Sequence, residues 1–234
     1  MSEILSTKDK VRLLPTALGR LVTTTAELAA YRLGRRGSAL PSQVVIKPPD
    51  AGWGAEAEMV ARASLGRGFL EHSVRTWWFG MALASADRAQ ATVDPDLLFV
   101  AAMLHDIGLF RPLDGRCFTA AGVAAVRHTA PVGTASSAIA EVEAAIYEHI
   151  EIKKPTKPLS YYLQAGSLLD VAGTRITKVD PAIVEQVCKG RTGFPSVCRS
   201  AWRAECRRFP GGRAAYARCP GGLLMGTRLN PLPG

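Results

Sequence analysis

The sequence contains no apolar run near the roughly 20 residues needed to cross a bilayer. Its most apolar stretch, Leu97–Leu104, stops short at a histidine and an aspartate. The first residues carry Glu3, Lys8, Asp9, Lys10 and Arg12 and lack the apolar core of a secretory leader, so a cytoplasmic protein without membrane contact is expected. Cysteine is scarce: five residues, an odd number with no C-x-x-C pair, argue against both a disulfide framework and a zinc ribbon. Charged residues make up only 21% against 47% hydrophobic, a balance that excludes a disordered chain. Neither an internal repeat nor a sustained strand-like alternation with hairpin turns is present. What remains is a helical chain long enough to bury a sizeable core.

The net charge of +9 is uneven. From Gln186 onward nine basic residues face a single acid, Glu205. No aromatic stacking series or nucleic-acid motif accompanies them. The expectation is therefore a solvated, arginine-rich helix face, with nucleic acid not favoured as a partner. A homo-oligomer and a small-molecule substrate are the partners the sequence allows.

Helix follows helix along the chain. Residues 8–36 read as one, with Val11, Leu14, Leu18, Leu21 and Val22 on one face and Pro15 restricting the first turns. Leu40 to Gly54 is an irregular, proline-rich connector. Glu56–Ala63 and the apolar Leu70–Ala86, with Trp77 and Trp78 as core residues, come next. Asp94-Pro95 pairs an N-cap with a proline suited to the first helical turn, and Asp180-Pro181 repeats the device. Between them lie Thr119–His128, Ser136–His149 and Leu159–Val171, the last closed by Gly173. Ser196 caps the final clear helix. The reading is all-α: an N-terminal helical extension and connector over 1–54, a helical domain over 55–209 with a basic C-terminal segment, and an irregular tail over 210–234.

Chemistry centres on the end of the apolar run, Leu104-His105-Asp106-Ile107-Gly108. A bare His-Asp pair at the end of a buried segment is costly without partners, and both residue types bind metals. All four histidines, His72, His105, His128 and His149, fall in expected helices. Arg75 lies one turn after His72 and points to the same side; it would either anchor an anionic substrate or salt-bridge a ligand carboxylate. His149 shares a stripe with core residues and is expected to play a polar, catalytic part in the pocket. For His128 the expected place is simply a helix end. Lys153, Lys154 and Lys157 read as a solvated loop.

His72 in Glu71-His72-Ser73-Val74-Arg75, then His105-Asp106, then Asp170 in Leu168-Leu169-Asp170-Val171, resembles the H…HD…D signature of the HD superfamily of metal-dependent helical hydrolases. The resemblance covers about residues 55–209 and implies an HD-domain helical bundle. It makes His72, His105, Asp106 and Asp170 the ligands of one divalent ion, with zinc or iron favoured and manganese, cobalt or nickel as alternatives. It also implies a metal-activated water attacking a small polar substrate. The blocks Phe69–Arg75, Leu104–Leu109, Phe118–Arg127, Ala144–His149 and Ala165–Asp170 are similar to the cyanamide hydratase-like branch, which adds water to a nitrile-type carbon. Ile107-Gly108-Leu109-Phe110 lacks the glutamate that nucleotidase-type members often place after the HD pair. The spacing of His105, His128, His149 and Asp170 also fits dinuclear HD phosphodiesterases and di-iron oxygenases, with a second ion held through His128 and His149. A non-catalytic ligand-binding or nucleic-acid-binding scaffold is the third alternative.

Overall fold

The computed structural model describes residues 3–35, 47–189 and 191–233. Among these, the chain forms an all-α bundle of eleven α-helices with no strand. The first is α1 (Thr7–Arg32), opened by a reciprocal capping box in which Ser6 Oγ accepts from Asp9 N–H and the Asp9 carboxylate accepts from Ser6 N–H. Pro15 sits inside it without ending it, at an exposed position. Residues 40–46 of the expected connector lie outside the described residues. α2 (Gly52–Ser64) begins earlier than the apolar pattern suggests.

Two helices form the centre. α3 (Arg67–Ala86) buries Phe69, His72, Arg75 and Trp77, and α7 (Pro158–Ala172) buries most of its length. They cross in close backbone contact because Gly166 faces the α3 backbone. A Cβ on Gly166 would lie 2.1 Å from the carbonyl oxygen of Thr76. α4 (Pro95–Leu104) packs beside α3 and is buried from Leu98 to Leu104. Its start follows from Asp94, whose carboxylate accepts from Asp96 N–H and Leu97 N–H. α5 (Thr119–Thr129) and α6 (Ser136–Glu148) close the other side of α4.

The C-terminal part departs from expectation. α8 (Pro181–Val187) is capped by Asp180 as anticipated. α9 (Phe194–Arg208) starts after Gly193, however, and the Ser196 hydroxyl donates to the Gly193 carbonyl from inside the first turn instead of capping. The stretch 210–234, expected to be irregular, contains α10 (Arg213–Arg218) and α11 (Leu223–Leu229). α11 packs on α7, and α1 lies against α11.

The inward face of α1 also differs from the periodicity reading. Leu13, Ala17 and Leu28 are buried, whereas Val11 is 67% and Val22 68% exposed, with Leu14 and Leu18 also outward. Polar side chains on the inward face explain the choice. Arg20 reaches the carbonyl of Glu151, and Glu27 accepts from Arg175 N–H. Those bonds cannot form with the other face turned in.

Candidate metal centre

α4 delivers His105 at its C-terminal cap and Asp106 immediately after it. The turn that follows is tight because Gly108 lies against the Phe118 backbone, where a Cβ would meet the carbonyl oxygen at 1.9 Å. α3 brings His72 in from one side, and the end of α6 brings His149 from the other. The three imidazole Nε2 atoms surround one carboxylate. Asp106 Oδ2 lies 3.2 Å from His105 Nε2 and 3.5 Å from His72 Nε2, and Oδ1 lies 3.7 Å from His149 Nε2. His72, His105 and Asp106 have donor atoms close enough together to hold one metal ion.

The other ring nitrogens set the protonation pattern. His105 Nδ1 lies 2.7 Å from the Ala102 carbonyl and His149 Nδ1 lies 2.6 Å from the Ile146 carbonyl. His72 Nδ1 lies 2.6 Å from Asp170 Oδ2. An acceptor at every Nδ1 places the proton there and leaves each Nε2 lone pair directed at the Asp106 region. His105 Nε2 is buried and has no hydrogen-bond partner. Lone pairs and a carboxylate converge here, with the Thr76 hydroxyl a long 3.5 Å from His72 Nε2, and form a set that suits a cation.

Electrostatics favour an ionised Asp106 beside neutral His149 and His72, whereas at His105 burial lowers the imidazole but Asp106 outweighs it and raises it. Burial, reinforced by the neighbouring His105, pushes His149 down to about 3. Burial also lowers His72, against the opposing pull of Asp170. Burial by itself would raise Asp106, yet His105, His72 and His149 hold it down at about 2.

Asp170 does not join the three. Expected as a fourth ligand, it sits at the Nδ1 edge of His72, away from the Nε2 that faces Asp106. Two guanidinium groups hold it there. Arg75 Nε and Arg191 Nε each donate to Asp170 Oδ1 at 2.9 Å, and Arg191 Nη2 donates to the Asp170 backbone carbonyl at 2.6 Å. Arg75 thus braces a site carboxylate, one of the two places the sequence left open for it. Arg191 was missed; it had been counted among the solvated C-terminal arginines, yet it is 1% exposed. No local signal marks it, because its partner lies 21 residues away. Phe194 at the start of α9 stacks on His72 at 4.8 Å between ring centroids and helps cover the site.

His149 is brought to the cluster as expected. His128 is not: it is exposed near the end of α5. A second ion held jointly by His128 and His149 therefore has no geometric basis, because one side chain is in solvent and the other in the core. Lys153 and Lys154 are exposed, as the solvated-loop reading held.

The buried His-His-Asp donor group of this helical bundle could hold a metal ion. Residues 69–174 match the family model of the HD domain, a little under half of the chain. The match supports the HD superfamily, and HD domains are typical of metal-dependent hydrolases; it does not support the cyanamide hydratase-like branch. No curated protein matches the sequence. No helix among the described residues is long and apolar enough to cross a membrane.

Proposed function

We propose that this chain is a metal-dependent hydrolase acting on a small polar substrate, with the ion held by His72, His105 and Asp106 and faced by His149. The observation that carries the reading is His105 Nε2: buried, without a hydrogen-bond partner, and 3.2 Å from Asp106. A divalent ion bound there would polarise a water or a substrate atom and bring water's reactivity into the neutral range. Which divalent ion is used is not assigned.

The chain's own groups set the stage. Asp170, fixed by Arg75 and Arg191, holds His72 in the tautomer that presents Nε2. His149 is too weakly basic to take up a proton near neutral pH. Its Nε2 instead accepts a hydrogen bond from a water in the site and orients it. Asp106 is only 4% exposed and His149 6%, so the donor group is enclosed. That enclosure favours a small substrate over a cyclic dinucleotide. Small nitriles are the narrower class suggested by the sequence blocks, and phosphate monoesters are the broader comparison.

The test is a panel of small nitriles and phosphate monoesters incubated with metal-stripped and metal-reconstituted protein. Turnover should appear only with metal and fall at least about 100-fold in Asp106→Asn. Equal rates for stripped and reconstituted protein across the panel would reject the hydrolase reading.

A further inference from the structure

α1 and α11 lie over α7 and enclose a cavity of about 70 Å³ that His149 also lines. That volume holds roughly five water molecules or a ligand of a few heavy atoms. Its walls are mostly apolar, with Leu28 from α1, Ala172 from α7, and Leu223 and Leu229 from α11. Arg20 and Thr24 also line it. Arg20 and Leu28 are eight residues apart on α1, so the cavity runs about 12 Å along that helix with the cation toward one end.

Arg20 is the feature an apolar cavity does not need. It is partly buried and donates to two neutral oxygens, Glu151 O at 3.1 Å and Gln164 Oε1 at 2.8 Å. Among the described residues it has no ion pair. The neighbouring acid, Glu151, is already engaged by Arg213, whose Nη1 lies 2.6 Å from Glu151 Oε1. The Glu151 carboxylate is thus taken by Arg213, which leaves Arg20 without a counter-ion among the described residues, and arginine cannot shed its charge to relieve the excess. Burial accordingly disfavours the charged form of Arg20. Among the described residues its other N–H groups have no protein acceptor, which leaves them available for a bidentate contact.

We propose that this cavity binds a short-chain aliphatic monocarboxylate, with the carboxylate on Arg20 and the chain against Leu28, Ala172 and Leu223. One surplus positive charge calls for one negative charge, which disfavours a dicarboxylate. The apolar walls favour an alkyl chain over an inorganic anion. The volume limits that chain to a few carbons. α1 and α11 supply half of the lining, and most of it lies outside the residues that match the HD domain; His149 is shared with the metal centre, so the test uses metal-free protein.

The test is thermal unfolding of the full chain, stripped of metal, with increasing butyrate against n-butanol, n-butylamine and chloride at matched ionic strength. Butyrate should raise the midpoint saturably in the millimolar range, and the other three should not. Arg20→Met should weaken the effect at least about ten-fold. That variant also loses the bonds to the Glu151 carbonyl and the Gln164 side chain, so Thr24→Leu provides the independent arm: it fills the cavity, leaves those bonds in place, and should abolish the butyrate effect. Butyrate acting no differently from chloride or from n-butanol overturns the proposal. So does an undiminished butyrate effect in Thr24→Leu.

Discussion

Asp170 shows at the residue scale how one side chain can serve a metal site from behind. It is fully buried, faces His72 Nδ1, and is held by Arg75 and Arg191. Replacing it with asparagine leaves two buried guanidinium groups opposite a neutral amide. Asp170→Asn should therefore lose about 3–5 kcal/mol of stability, read from urea unfolding. Metal affinity should fall about 10–100-fold without being abolished, the scale seen when a histidine ligand loses its orienting partner. Complete loss of metal in a folded variant would instead make Asp170 a direct ligand. The thiols give a second check. Cys117, Cys188, Cys198 and Cys206 are buried and Cys219 is exposed. Burial pushes Cys188 up to about 11 and raises Cys198 as well. A thiol reagent at neutral pH should label Cys219 rapidly in the native protein and the other four only after denaturation.

The decisive contact among the elements is that of α3 with α7, because it brings His72 and Asp170 together. Gly166 makes it possible by leaving room for the Thr76 carbonyl, and Gly80 on α3 adds to the close fit. Gly166→Ala should force the helices apart and destabilise the fold by more than about 3 kcal/mol. A midpoint within a degree or two of the native protein in thermal unfolding would contradict this packing. Elements set by local chemistry were legible in the sequence. Asp94-Pro95 and Asp180-Pro181 start helices, and Gly173 ends α7 in the left-handed conformation with φ 71°. The inward face of α1 was not legible. Both faces carry apolar residues, and the choice rests on Arg20 and Glu27 bonding to groups 131 and 148 residues away. Gly193 opening α9 ahead of Ser196 was hidden for a related reason, since the serine fits a capping pattern that the backbone does not use.

Across the whole molecule, three of the C-terminal arginines act as ties, while Arg203, Arg207, Arg218 and Arg228 are exposed as the solvated-face reading expects. Arg191 holds Asp170, Arg208 pairs with Glu205, and Arg213 pairs with Glu151. Composition alone cannot reveal this, because the Arg191 and Arg213 partners are distant in sequence and meet only once α7 and the end of α6 are in place. The candidate metal-binding group was legible: His72, His105 and Asp106 stand together as the HD pattern implied, in an all-α bundle. The side of His72 on which Asp170 would lie was not legible, because it depends on how α7 crosses α3 and on Arg191 closing behind it.

The central claim is that one ion is held by His72, His105 and Asp106. Elemental analysis of the reconstituted chain and two folded variants addresses it most directly. The account predicts one equivalent of divalent metal per chain, lost in His105→Ala and retained in His128→Ala. A full equivalent retained by His105→Ala, or two equivalents of which one is lost in His128→Ala, would contradict it.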